Sequence, residues 1–355
     1  MRYLLLLAVH AVGLALAAAQ PVAAATFQSP LDQPAVVSRL ATHSPLLAVT
    51  TAGNRVIAAG QRGHIVYSDD GGNTWAQAAV PVSTDLVALS FASARQGWVV
   101  GHGGVVLHTA DGGATWTRQL DGRQSSEIAI RYLQSLAATH PGAEKLVARE
   151  KRLVEEGGIQ PLLGVYFVNE TNGYVVGTFN RIFRTDDGGK NWTPWMDHTD
   201  NPNELHFNAI VGGVNGIFLA GEQGMVWSLD PEKNRFVARP TPYHGSLFGL
   251  VANGANTLLA YGLRGSLFRS VDDGRSWERV SVGSSAGITS GVAMPDGSIV
   301  LAIQAGAVVR STDHGKTFAP VKLEQPMAYY GITRSTQGAI VLAGSEGVRR
   351  ESVGR

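Results

Sequence analysis

The 355-residue chain has no cysteine, which excludes disulfide staples, thiolate metal centres and a lipoprotein-type anchor. Charge is sparse, at 16% of residues, and the signs cancel to a net +1. The footprint of a dedicated nucleic-acid binder is therefore missing. Past the first 25 residues no apolar run is long enough to span a membrane. No phosphate-binding glycine loop and no HExxH pair occurs. What the chain has in quantity is glycine, 43 residues, which favours many tight turns over long helices.

The first residues read as a leader. Arg2 precedes the apolar stretch LLLLAVHAVGLALAAA, and Ala23, Ala24 and Ala25 offer a small-residue cleavage site. Residues 1–25 are thus predicted to be a signal peptide. The mature chain, 26–355, is predicted to be exported, periplasmic or extracellular, soluble and monomeric, with no integral membrane segment.

The phrase SDDGGNTW at 68–75 returns as TADGGATW (109–116), TDDGGKNW (185–192), SVDDGRSW (270–277) and STDHGKTF (311–318), with a decayed copy ending at Phe236. Copies lie 41–43 residues apart, except for one interval lengthened by about 35 residues after 116. A period of about 40–45 residues is that of propeller blades with four short strands each. Within a repeat, LVALSFAS, GWVVGHG, VVLHTA and TWTRQL are β-rich runs between turn signals. Seven such blades account for the chain. The last is cut short after GVRRES, and residues 34–40 (PAVVSRL) are predicted to supply its missing strand and close the ring.

Each phrase reads as the turn between third and fourth strands. Asp70, Asp111, Asp187, Asp272 and Asp313 are placed to accept backbone N–H bonds across it. Trp75, Trp116, Trp192, Trp277 and Phe318 then wedge apolar rings into the blade. A Ca²⁺ loop is disfavoured, because the alternating oxygen ligands and bidentate Glu are missing. No metal, cofactor or catalytic residue is predicted.

The phrase is the Asp-box, or bacterial neuraminidase, repeat. In the form GQRGHIVYSDDGGNTW (60–75) it resembles the photosystem II stability and assembly factor family, over essentially the whole mature chain. That resemblance implies a seven-bladed all-β propeller and a non-catalytic scaffold for a protein client. The client would be a membrane complex of photosystem or transporter type, held by an arginine patch.

The turns between second and third strands share one face with the connections between blades, and there the chain places Arg62, His64, His102, Arg181 and Arg264. Three arginines can fork onto carboxylates or phosphates, which makes these five the candidate client-binding residues. The insertion, about 123–158, reads as a helical hairpin between blades two and three. Ile128, Tyr132, Leu133 and Leu136 form one stripe, and Leu146, Val147, Leu153 and Val154 another, on either side of Pro141 and Gly142. Beside a binding face it is either rim packing or a lid. The alternative is a sialidase-like glycosidase or carbohydrate-binding propeller. There Arg62, Arg181 and Arg264 would hold a carboxylate, and Tyr261 with Glu222 would stand as nucleophile and activator. The F/Y-R-I-P motif of sialidases does not occur in the sequence.

Overall fold

The computed structural model describes residues 28–138, 142–157, 160–254 and 256–352. The leader predicted at 1–25 lies outside them. Seven antiparallel sheets follow one another along the chain at 46–77, 86–120, 162–194, 207–238, 247–279, 288–321 and 329–351. Each is a meander in sequence order, and together they are the blades of an all-β propeller. The first strands of neighbouring blades pack against one another around the ring. That of blade seven (Tyr329–Arg334) meets that of blade one (Leu46–Ala52).

Two recurrent features give the blades their shape. In every blade the pairing of first and second strands skips one residue near the top, as between Leu46 and Ala48 or Leu247 and Gly249. Such bulges bend a strand and sharpen its twist. In six blades a glycine ends the second strand and sits against a backbone carbonyl beside this irregularity, Ile303 taking its place in blade six. A Cβ on Gly60 would lie 2.3 Å from the Pro45 carbonyl oxygen, and one on Gly262 2.2 Å from that of Ser246. The first glycine of the G-x-x-G signature is therefore fixed by close backbone approach rather than by an unusual φ. Between blades the cores are continuous. Trp98 of blade two stacks on Phe167 of blade three with ring centroids 3.4 Å apart, and the Trp98 indole donates to Gln119, which itself donates to the Gly188 carbonyl.

The Asp-box turn works as a two-residue clamp. The hydroxyl that opens the phrase donates to the Asp two residues on (Ser68 to Asp70, 2.7 Å) and accepts from the Gly amide four residues on (Gly72, 2.8 Å). The Asp then receives the amide and hydroxyl of the residue before the Trp, at 2.8 and 2.6 Å from Thr74. Asp111, Asp187, Asp272 and Asp313 are held the same way by Thr115, Asn191, Ser276 and Thr317. These donors outweigh desolvation and hold the Asp111 and Asp272 carboxyls down at about 2. Trp116 and Trp192 are buried, whereas Trp75, Trp277 and Phe318 are half-buried.

Blade seven departs from the strand count read from the sequence. Among the described residues it has three strands, ending at Gly347–Glu351, and residues 34–40 form no strand. That segment is tied to blade one instead. The Ala35 amide donates to the Val80 carbonyl at 3.0 Å, and the Gln77 side chain bonds the Val36 carbonyl and the Ser38 amide at 2.9 and 2.8 Å. Upstream, Arg118 of blade two holds the Leu31 carbonyl at 2.6 Å, so the chain crosses blade one before it can reach blade seven. The ring is closed by packing of the first strands, by the Ala41–His43 turn wedged between Gly347 and blade one, and by Gln337, which donates to the Asp70 carbonyl at 3.4 Å.

Two helices follow the last strand of the second sheet in the chain, α1 (Gly122–Leu136) and α2 (Ala143–Glu155). Asp121 caps α1 through a reciprocal capping box with Gln124. α1 buries Ala129 and Leu133, with Ile128 and Tyr132 packed beside them. α2 differs from the stripe read in the sequence. Leu153 is half-buried and Val154 exposed, and its inward residues are Ala143 and Glu150. Leu146 and Val147 of that stripe do pack against the core, beside the buried Glu150 carboxylate.

Candidate functional site

Six of the turns between second and third strands start from a glycine, and in blades one to five the four following residues can be compared directly. The second of the four is Arg62, Gly103, Phe179, Gln223 and Arg264 in blades one to five. All but Gly103 are non-glycine residues with φ between 53° and 58°, and Gly103 has φ 71°. This left-handed corner turns the side chain outward, and Arg62 and Arg264 are exposed. Neither side chain has an ionic partner among the described residues. The Arg62 amide is held at 2.9 Å by the Asp85 carboxylate of the next blade, which fixes the corner. His102, at the first turn position in blade two, is also exposed, with its backbone bonded to Asp85 and Thr84.

Arg181 and His64 behave differently, and the spacing explains why. Both stand fourth in the turn, where the chain re-enters the sheet and the side chain points inward. Arg181 is buried at 4% exposure and donates to Glu150 of α2 at 2.7 Å and to Ser125 of α1 at 3.3 Å. It is the anchor of the helical pair rather than a free cation at the channel mouth, and the reading of three equivalent arginines is corrected to two. His64 is buried too, and desolvation lowers its pKa, with Arg62 adding to the effect. Burial thus favours the uncharged ring, which suits a packed position better than an anion site. Sequence inspection missed Glu150 as the partner of Arg181. The signal available was a lone acidic residue on the inward side of α2.

The other residues of the glycosidase reading are not gathered into a site. Tyr261 lies in the core at 5% exposure, where burial pushes its phenol well above the usual range. Glu222 accepts the His206 amide at 2.9 Å and serves its own turn. Arg181 is already neutralised.

Two clefts open on the same side. One of about 590 Å³ lies beside Arg62 and is walled by Pro34, Val36, Leu40 and Pro45. Val36 and Leu40 are mostly exposed, so a cation there borders an apolar wall. The other, about 690 Å³, lies between α2 and the connection to blade four. Most of its charges are paired: Arg235 pairs with Asp200 at 2.8 Å, Arg149 pairs with Glu204, and Tyr132 donates to Asp197 at 3.1 Å.

Comparison with known proteins adds a family and a fold. Residues 39–132 match the profile of the family described as photosynthesis system II assembly factor YCF48. No curated protein matches the chain. Among solved structures, YCF48 bound to D1 peptide is 18% identical with a TM-score of 0.64, and the match covers 91% of this chain and 100% of that one. YCF48 from Cyanidioschyzon merolae is 18% identical with a TM-score of 0.60, covering 90% and 98%. A streptogramin B lyase is 13% identical with a TM-score of 0.67, covering 91% and 97%. At such identities the likeness to these structures is one of fold. The chain is similar to photosystem II assembly factor-like Asp-box propellers, in sequence over 39–132 and in fold around the ring.

Proposed function

We propose that this propeller is an exported, monomeric, non-catalytic scaffold that holds a protein client belonging to a membrane complex. The client docks on the face bearing Arg62, His102 and Arg264. The observation that carries the reading is the pair Arg62 and Arg264, which stand at one turn position, exposed and without ionic partners among the described residues. Unpaired guanidinium groups on left-handed corners suit carboxylates of a client segment, since the fork of donors is already set outward. The similarity to YCF48, which has been solved with a D1 peptide bound, supports a polypeptide as the client class. In this reading the helical pair is an insertion between blades two and three, docked through Arg181 and Glu150 as a rim element beside the binding face.

The test is capture from a solubilised envelope fraction by the wild type and by the Arg62→Ala/Arg264→Ala double variant. Exposed arginines contribute little to folding, about 1 kcal/mol or less each. The double variant should therefore melt like the wild type yet recover the client at least tenfold less well, and salt should weaken wild-type capture in the same direction. Equal recovery by the double variant removes this face from the function.

A further inference from the structure

Among the described residues, the three-stranded blade leaves uncovered the outer side of a third strand, which a fourth strand covers in the other six. Each of them ends in a fourth strand laid antiparallel on the third. In blade seven the third strand, Gly347–Glu351, is the outermost described strand. An edge strand presents alternate N–H and C=O groups without ladder partners, a template for another extended segment. The chain's own upstream segment meets this strand at its start, where Thr42 and His43 lie against Gly347, and residues 32–38 before that are held elsewhere. Arg118 and Arg123 hold Asp32 at 3.2 and 2.9 Å, and Gln77 holds Val36 and Ser38.

Register supplies the chemistry of the missing strand. Arg350 lies opposite Val341 of its second strand, as Arg310 lies opposite Val300 in blade six and Arg184 opposite Tyr174 in blade three. Arg269 of blade five stands at the same place, opposite Leu259. There the fourth strand sets Glu278 across from the arginine, and the two are 2.6 Å apart. Arg350 is exposed and has no ionic partner among the described residues. Its neighbour Arg349 is already paired with Glu346 at 3.0 Å.

We propose that the Gly347–Glu351 edge of blade seven is a second docking site, which takes an extended segment of a protein partner as the blade's fourth strand. The segment runs antiparallel to Gly347–Glu351 and sets an acidic residue opposite Arg350. Main-chain hydrogen bonds supply the affinity and the arginine supplies the register. The inference rests on the client-binding reading only for the partner's biological identity. The edge itself is argued from strand count and register.

The experiment uses the full chain and a fluorescein-labelled synthetic peptide Ser-Trp-Glu-Arg-Val-Ser-Val, the sequence of residues 276–282 that begins the outer strand of blade five. Anisotropy should show saturable binding, and amide exchange at 347–351 should slow when the peptide is present. Methylating alternate backbone nitrogens of the peptide should weaken binding at least tenfold. Arg350→Glu should do the same without changing the melting curve, and exchanging the peptide Glu for Lys should restore binding to that variant. Equal binding by Arg350→Glu overturns the proposal, as does an unaltered exchange pattern at 347–351. Edge amides already protected in the free chain also overturn it, because a segment of the chain itself would then be the fourth strand. The Arg62→Ala/Arg264→Ala variant should bind the peptide normally, so failure of the arginine face and failure of the edge are read separately.

Discussion

Replacing Glu150 by alanine removes a buried carboxylate shared by Arg181 and Arg149; Arg149 keeps Glu204, whereas the buried Arg181 is left without its ionic partner. The Arg181 guanidinium is 4% exposed and Glu150 1% exposed, with 2.7 Å between them. After the substitution Ser125, at 3.3 Å, is the remaining side-chain hydrogen-bond partner of that guanidinium among the described residues. Truncating one member of a buried pair costs about 3–5 kcal/mol, because an uncompensated charge stays out of water. Blade three does not need α2 to fold its strands, so the cost should fall on the docking of the helical pair. At about 1.4 kcal/mol per factor of ten, the docked state should lose two to three powers of ten in population relative to the opened one. Amide exchange across α1 and α2 is the assay, with amides of the blade-three second strand, Gly173–Gly177, as the internal reference. The helices should exchange at least a hundredfold faster while that strand is unchanged. Removing both charges with Glu150→Leu/Arg181→Leu should recover most of the loss, since an apolar pair of similar volume is tolerated there. A single variant costing less than about 1 kcal/mol, or a double variant no better than the single, refutes the account of how the helices are held. It follows that shortening 123–158 to a flexible link requires Arg181→Leu in the same molecule.

Trp116→Ala should destabilise the ring by about 3–5 kcal/mol in denaturant titration, since the indole is buried, packs edge-on to Phe91 and donates to the Gly113 carbonyl at 3.0 Å. Trp75→Ala, at a half-buried copy of the same position, should cost clearly less. Acid should weaken the Asp-box turns in a defined window. The Asp111 and Asp272 carboxyls sit at about 2 when folded, below the usual carboxylate value, so their contribution is complete above about pH 4. It is lost as the pH falls from about 4 towards 2. Asp111→Asn should flatten that part of the stability profile. A profile identical to that of the wild type, measured by thermal melts between pH 2 and pH 5, contradicts the assignment.

The repeat period, the number of blades and the Asp-box turns are properties of local sequence. A serine or threonine, an aspartate two residues on and a glycine four residues on form their bonds within one turn, so no distant contact is needed to recognise them. The placement of Arg62 and Arg264 in turns between second and third strands was legible for the same reason. Three matters depended on the assembled ring. Arg181 and Arg62 look alike in sequence, but two places along a turn separate an inward side chain from an outward one. Only the docked helices show that Glu150 meets Arg181. Residues 34–40 have the composition of a strand. Hydrogen bonds from Gln77, some 40 residues downstream in sequence, and from Arg118 on the next blade hold the chain across blade one instead. Among the described residues blade seven is therefore left with three strands, because strand propensity is local whereas strand pairing is settled by which partner the rest of the chain brings within reach.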